Sequence, residues 1–170
     1  MFILWVIHPL FHQRIIGFIF ASSFIISGSI QIDEIKIGDI MTGKIDISAL
    51  NTPPEENELK VAKFFSEKGK NISFIRPSSI PGQRRPDIEM DGIEWEIKCP
   101  IGKSKRTIQN NIMSAEGQSA YIIIDLRYIK LPEKECLSQI KLHFLTRSRV
   151  KRILVITKNL ELVEFPSKND

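Results

Sequence analysis

The segment 86–98, PDIEMDGIEWEIK, constrains the fold of this chain more than any other stretch. Asp91-Gly92 lies between two runs in which apolar and charged residues alternate, and this dipeptide is a strong signal for a two-residue hairpin turn. Because side chains alternate across a strand, the hairpin has one apolar and one charged face. The predicted register places Asp87 directly opposite Glu96.

The apolar face of this hairpin is expected in the core and consists of Ile88, Met90, Ile93, Trp95, Ile97 and Cys99. The charged face consists of Asp87, Glu89, Glu94, Glu96 and Lys98. Two carboxylates directly opposite each other repel, at a cost of about 0.2–1 kcal/mol. A divalent cation bound between them would reverse the sign of this interaction. Such oxygen donors suit Mg²⁺ or Mn²⁺.

Lys98 lies on the same face as Glu96, two residues further along the strand. Its ammonium group can reach the same place, where it would orient an attacking water or stabilise charge on a phosphate. The alternative is an ordinary amphipathic hairpin with a solvated outer face, in which alternating charges are common. The Asp–Glu–Lys spacing, with its register set by the turn, favours a site.

The elements around the hairpin predict a mixed α/β fold. Helices are predicted over 55–69, from Ser104 or Thr107 to Gly117, and from Pro132 to about Arg149. Further strands are predicted over 71–77, 120–126, 152–157 and 161–165. On the last helix the residues expected to face the core are Leu137, Ile140, Phe144 and Leu145. From Glu55 on, the order α-β-β-β-α-β-α-β-β predicts a mixed central sheet flanked by helices.

The first forty residues differ from the rest, and we divide the chain into a hydrophobic leader, 1–40, and a domain, 41–170. Residues 15–32 carry no charge. This uncharged segment is at the short end of the length that spans a bilayer. The leader is a signal or membrane segment, a misassigned upstream remnant, or part of the fold. In the first case residues 1–30 would provide the membrane contact.

Charge is also unevenly distributed between these two parts. The net charge is +4, and residues 1–40 hold only two of the 24 basic side chains and three of the 20 acidic ones. The positive excess therefore lies in 41–170, where it would meet a polyanionic partner. Two cysteines are too few for a disulfide framework or a zinc cluster.

Pro86-Asp87, followed by eight residues and then Glu96-Ile97-Lys98, resembles the PD-(D/E)xK nuclease motif. The stretch EWEIKCPIGKSKRTIQNNIMSAEGQSAYIIIDL is similar to the C-terminal tRNA-nuclease domains of contact-dependent growth-inhibition (CdiA-type) toxins. In those domains the lysine strand runs into a Lys/Ser-rich turn, a helix, an Ala-x-x-Gln-Ser segment and a hydrophobic strand ending in Asp. The resemblance covers about residues 50–165 and implies a restriction-endonuclease-like core.

The resemblance also implies roles for single residues. The catalytic residues it implies are Asp87, Glu96, Lys98 and Glu58. The metal ligands it implies are Asp87, Glu96 and the carbonyl of Ile97, with Mg²⁺ as the expected ion and Mn²⁺ or Zn²⁺ as alternatives. Glu58 matches a glutamate on the helix that precedes the motif. Its alternative role is to stabilise the helix N-terminus, which Glu55 or Glu56 would serve equally well.

Basic and uncharged polar residues outside the motif are candidate contacts to nucleic acid. They are Lys103, Ser104, Lys105, Arg106, Thr107, Gln118, Arg84, Arg85 and Arg147. The loop 102–107 enters a helix, and a helix N-terminus with flanking cations binds phosphate well. The alternatives are a solvated basic turn for this loop, a backbone hydrogen bond near Gly117 for Gln118, and helix C-terminal charge for Arg147.

The function implied is that of a metal-dependent endonuclease, a tRNA-cleaving toxin domain acting in the cytoplasm of a target bacterium. Such a domain would be secreted, or tethered to a membrane through its hydrophobic N-terminus. A cognate immunity protein with an acidic surface is the expected partner. The alternatives are a DNA endonuclease, since the motif does not separate RNA from DNA, and a non-catalytic nucleic-acid-binding or interaction module. A module that only binds has no use for opposed carboxylates.

Overall fold

The computed structural model describes residues 42–166, so the three interpretations of the leader 1–40 concern a segment outside the described residues. The elements are β1 (Ile45–Asp46), α1 (Glu56–Ser66), β2 (Ile72–Phe74), β3 (Ile88–Met90), β4 (Ile93–Lys98), α2 (Thr107–Glu116), β5 (Tyr121–Asp125), α3 (Glu133–Thr146), β6 (Arg152–Ile156) and β7 (Leu162–Phe165). From α1 on, this is the predicted order. Within 42–166 no helix combines the length and the apolar character needed to cross a membrane.

The strands form one mixed sheet in the order β1 to β7. β1 runs parallel to β2, and β4, β5 and β6 are parallel neighbours, whereas the other adjacent pairs are antiparallel. Consequently β2, β4, β5 and β6 point the same way. Their last residues, Phe74, Lys98, Asp125 and Ile156, lie along one edge of the sheet, which we call the carboxyl edge. The predicted mixed sheet flanked by helices is confirmed.

The predicted hairpin forms between β3 and β4. Asp91 and Gly92 have φ angles of 55° and 73°, which is the left-handed conformation that a type I′ turn requires at both central positions. The paired residues are Ile88 with Trp95, Glu89 with Glu94, and Met90 with Ile93, as the sequence predicts. The Asp-Gly turn therefore sets the register of the two strands that carry the motif.

Each face of the sheet has its own hydrophobic core. The core under α1 includes Val61, Phe65, Ile72, Ile88, Trp95, Ile97 and Ile123. The core under α2 and α3 includes Ile108, Ile112, Ile122, Ile124, Ile140 and Val155. Consecutive residues of β5 thus enter opposite cores, which explains why a run of isoleucines is fully buried there. Burying each of these side chains contributes about 1.5–3 kcal/mol before the entropy of ordering is subtracted.

Two features of the fold differ from the prediction. The short strand β1 lies between the leader and the first predicted helix, where no element is predicted, and its pairing depends on the main chain of distant β2: the Ile72 amide donates to the Lys44 carbonyl at 2.8 Å. Leu145, expected to face the core, is 64% exposed. The buried stripe of α3 runs through Cys136, Ile140 and Phe144 at four-residue spacing, which leaves the next position, Leu145, outside it.

Candidate active site

Asp87 lies where the pairing of β3 with β4 ends. The ladder stops at Ile88 and Trp95, so it does not include the predicted direct pair of Asp87 with Glu96. Instead the Asp87 amide donates to the Trp95 carbonyl at 3.1 Å, and Oδ2 of Asp87 accepts the Ile97 amide at 2.7 Å. The carboxylate of Asp87 thus serves as the hydrogen-bond acceptor for a main-chain amide of β4.

Glu96 is the buried carboxylate of the site. It is only 1% exposed, although the alternating pattern placed it on the charged face of the hairpin. The helix α2 packs against β4, and just beyond this helix Gln118 donates from Nε2 to Oε1 of Glu96. Lys98 forms an ion pair with the same oxygen. The other oxygen, Oε2, is buried and has no hydrogen-bond partner among the described residues.

The carboxyl groups of Asp87 and Glu96 lie within electrostatic reach of each other. Burial raises the pKa of Glu96 to about 7, the charge of Asp87 adds to this effect, and Lys98 opposes it. Burial also raises the pKa of Asp87, while the Ile97 amide opposes that shift. A pair of this kind retains a proton near neutral pH unless a cation neutralises it.

The residues present fit a hard divalent cation. Asp87 and Glu96 offer carboxylate oxygens, and the unpartnered Oε2 of Glu96 is a buried acceptor that a cation would satisfy. Within 42–166 no group of three or more His, Cys, Asp or Glu side chains is placed to hold a metal ion. Two carboxylates completed by waters, phosphate oxygens or a main-chain carbonyl are an ordinary set of ligands for Mg²⁺.

Glu58 lies in the first turn of α1 and has two environments. With Glu55 it forms a capping box, in which Oε2 of Glu58 accepts the Glu55 amide at 3.3 Å. The pKa of Glu58 is raised, first by burial and then by the charge of Asp87, so the two carboxylates lie within electrostatic reach of each other. The structure therefore places Glu58 at the helix N-terminus and also near the candidate site.

A cleft of about 800 Å³ opens next to these groups. Its lining includes Glu58, Asp87 and Gln118, together with the predicted contacts Arg84 and Arg85. The other walls are residues 50–55 and 74–79, which lie around the start of the predicted helix 55–69 and the end of the predicted strand 71–77. Because Nε of Arg76 donates to the Ala49 carbonyl at 2.8 Å, these two walls are tied together by a contact that no local pattern reveals.

The other predicted nucleic-acid contacts fall in two places. Lys103, Ser104, Lys105 and Arg106 are exposed, and the turn before α2 is closed by the Thr107 amide, which donates to the Ser104 carbonyl at 2.9 Å. These cations are therefore presented to solvent at a helix N-terminus. Arg147 forms an ion pair with Glu116 at 2.6 Å, which links the ends of α2 and α3, and it does not line the cleft.

The sequence analysis missed a buried ion pair at the carboxyl edge. Asp125 is fully buried, and Arg127 donates to it from Nε at 2.8 Å and from Nη2 at 2.7 Å. The available signal was the hydrophobic strand that ends in Asp. The half-buried thiol of Cys99 lies within electrostatic reach of Asp125, Arg127, Glu58 and Asp87, and burial raises its pKa to about 12. A thiol with a pKa this high carries almost no thiolate at neutral pH, which is the reactive form.

Residues 84–162 match the family described as "Contact-dependent growth inhibition CdiA C-terminal domain". The fold is similar to that of a chain in the solved "CdiA-CT/CdiI toxin and immunity complex from Burkholderia pseudomallei", with a TM-score of 0.53 and 18% sequence identity. That similarity covers 73% of this chain and 99% of the other. No curated protein matches the sequence.

These two similarities agree with each other. Residues 84–162 carry the sequence pattern of CdiA C-terminal domains, and the fold is one that occurs in a toxin and immunity complex. The matched segment contains Asp87, Glu96, Lys98 and Gln118 but begins after Glu58.

Proposed function

We propose that this chain carries the toxin domain of a contact-dependent growth-inhibition system, and that the domain is a metal-dependent endonuclease that cleaves tRNA. The family match over residues 84–162 supports the toxin assignment. The observation that supports the nuclease most strongly is the buried Glu96, whose Oε2 has no partner among residues 42–166 while Asp87 and Lys98 lie next to it. A hydrophobic core has no need of this arrangement, whereas a phosphodiester-hydrolysing site does.

The arrangement of these groups also supports a PD-(D/E)xK core. Asp87 precedes β3, Glu96 and Lys98 lie on the adjacent strand β4, and α1 brings Glu58 near Asp87. A mixed sheet with helices on both faces supplies the expected framework.

Asp87 and Glu96 would hold the cation, for which Mg²⁺ is the first candidate and Mn²⁺ or Zn²⁺ the alternatives; the Ile97 carbonyl is the proposed third ligand. When bound, the metal lowers the pKa of a coordinated water and neutralises charge on the phosphate. Gln118 fixes the orientation of Glu96, because its amide donates to Oε1 and leaves Oε2 for other partners.

Lys98 and Glu58 would assist from either side of this pair. The side chain of Lys98 is 19% exposed and its ammonium group is held on Glu96, so it would provide a fixed positive charge where negative charge develops on the phosphate oxygens. Glu58 lines the cleft and has a raised pKa, which suits a group that orients a water or accepts its proton. The cations Arg84 and Arg85 line the same cleft and would bind the substrate backbone.

The test is cleavage by the full chain of total tRNA and, separately, of supercoiled plasmid, each with Mg²⁺ or with a chelator. We expect loss of tRNA only in the presence of Mg²⁺, and no loss with Lys98→Ala. Lys141→Ala, which removes an exposed lysine on α3, is the matched control. Plasmid nicking would favour the DNA endonuclease. Retarded migration of nucleic acid without any cleavage would favour a binding module.

We also propose a cognate immunity protein as a partner. Support comes from the structural neighbour, which is a chain of a toxin and immunity complex. A cleft lined by Arg84 and Arg85 favours an acidic partner surface. Co-purification should yield a protein that is released at high salt and that blocks tRNA cleavage. A co-purified protein that does not block cleavage would argue against an immunity protein.

A further inference from the structure

A second groove, of about 520 Å³, runs along the side of α1, and its lining contains none of the residues proposed for catalysis. Its lining consists of Lys60, Lys63, Phe64, Glu67, Lys68, Arg127 and Leu160. Four of these seven side chains are cations and one is an anion. Lys60 and Arg127 also form ion pairs, with Glu56 and Asp125, whereas Lys63 and Lys68 form none within residues 42–166 and supply the unbalanced positive charge. A groove with this balance attracts a polyanion.

Tyr128 is a partly exposed residue whose ring lies next to two side chains of the groove lining, Lys60 and Arg127. The residue is 42% exposed, directly after Arg127 in the loop that follows β5. Nζ of Lys60 lies 5.2 Å from the centre of the ring, and Cζ of Arg127 lies 5.7 Å from it. An exposed aromatic ring between cations is the combination on which single-stranded nucleic acids stack a base while their phosphates contact the cations.

Arg127 is fixed next to this ring. Its Nε and Nη2 donate to the buried carboxylate of Asp125, so the guanidinium cannot leave without stranding a buried charge. The pair therefore holds the positive charge in place before any ligand arrives, which lowers the entropy lost on binding.

The loop that carries Tyr128 begins at the same edge of the sheet as the end of the motif strand. β4 and β5 are parallel neighbours that pair Lys98 with Ile124, so the loop after β5 emerges next to the end of the motif strand. The thiol of Cys99 lies within electrostatic reach of both Arg127 and Asp87. A chain of nucleotides with its scissile phosphate near Asp87 would thus meet Tyr128 on the same edge of the sheet.

We propose that Tyr128 and the groove cations Lys60, Lys63, Lys68 and Arg127 form a second nucleotide-binding site, which stacks an unpaired base of the RNA substrate and binds the adjacent phosphates. The identity of the ligand as the enzyme's substrate rests on the proposed function. An exposed ring flanked by two cations favours a nucleic acid over an acidic protein surface, because a carboxylate side chain offers nothing to stack on the ring. The substrate must then extend beyond the nucleotides at the scissile bond.

The test is the affinity of the full chain for a fluorescein-labelled single-stranded RNA, measured by fluorescence anisotropy in chelator so that no cleavage occurs. Tyr128→Ala should weaken binding on the order of 10-fold or more, whereas Tyr128→Phe should bind as the unmodified protein does because the ring remains. Lys63→Ala should lower the dependence of log Kd on log salt by about one. Lys141→Ala, on α3, is the control, and thermal melts check that each variant is folded.

An unchanged affinity in Tyr128→Ala would overturn the site, and so would equal losses in the Ala and Phe variants, which would exclude stacking. Tight binding of polyglutamate with the same dependence on Tyr128 would assign the groove to an acidic protein and would also overturn it. These experiments distinguish failure of the nuclease proposal from failure of the second nucleotide-binding site. A chain that binds RNA through Tyr128 but cleaves no nucleic acid refutes the nuclease alone, whereas a chain that cleaves tRNA and binds equally well without the ring refutes the second site alone.

Discussion

Replacement of Glu96 by Gln should remove a pH-dependent loss of stability from the fold. Glu96 is 1% exposed, and burial raises its pKa from 4.5 to about 7. Between these values the folded state keeps a proton that the unfolded state has released. The stability associated with this proton is fully present below pH 4.5 and is lost as the pH rises to about 7.

The magnitude follows from the two pKa values. A difference between 4.5 and about 7 lowers the free energy of unfolding by about 3 kcal/mol once the pH exceeds the upper value. The raised pKa of Asp87 acts in the same direction. Gln keeps the size of the side chain and an oxygen for Lys98 and Gln118, so the comparison isolates the ionisation of Glu96.

The assay is urea unfolding in chelator at a series of pH values, from about pH 5 to pH 8, which span the window set by the two pKa values. The unmodified protein should lose stability relative to Glu96→Gln as the pH rises, and the difference should level off above pH 7. Glu94→Gln, on the same strand but exposed, controls for the loss of one negative charge. Parallel pH profiles for the unmodified protein and Glu96→Gln would refute the reasoning.

Three further perturbations test other parts of the structure. Arg127→Ala should lower the free energy of unfolding by about 3–5 kcal/mol because it leaves the buried Asp125 unpaired, and urea unfolding should show most of this loss recovered when Asp125→Asn is added. Mg²⁺ at 100 times its Kd should stabilise the unmodified protein by about 2.7 kcal/mol but not Asp87→Asn, which thermal melts would detect; equal shifts would exclude a metal at Asp87. Lys98→Ala should lower kcat for tRNA cleavage by about 10²–10³-fold with the fold intact, and a kcat within a few-fold of the unmodified value would remove Lys98 from the mechanism.

The sequence predicts best those parts of the fold that local chemistry determines. The Asp91-Gly92 turn requires two left-handed residues, and its pairing register follows directly from the alternation on either side. The strand β1 escaped prediction because two residues carry no periodicity and pair only with a segment that follows α1. Leu145 was misplaced because the end of a helix offers too few turns to distinguish the buried stripe from its neighbour.

The candidate site shows the same limit at the level of side chains. The spacing within the hairpin correctly brought Asp87, Glu96 and Lys98 into one neighbourhood, but alternation alone says nothing about what covers a face. Glu96 is buried because α2 returns across β4, a tertiary event that the strand pattern does not encode. In the same way, the ion pair of Arg147 with Glu116 depends on how the ends of two helices meet.

Asp87 belongs both to the main-chain hydrogen bonding of β4 and to the candidate metal site, so its substitution has two effects. One carboxylate oxygen completes the main-chain bonding of β4 by accepting the Ile97 amide, while the same side chain contributes to the candidate metal site. Asp87→Ala would therefore disrupt the end of the hairpin as well as remove a proposed metal ligand. Loss of activity in this variant would not show which of the two effects caused it. Lys98→Ala removes no main-chain hydrogen bond of the hairpin, so this substitution is the more specific test of the proposed chemistry.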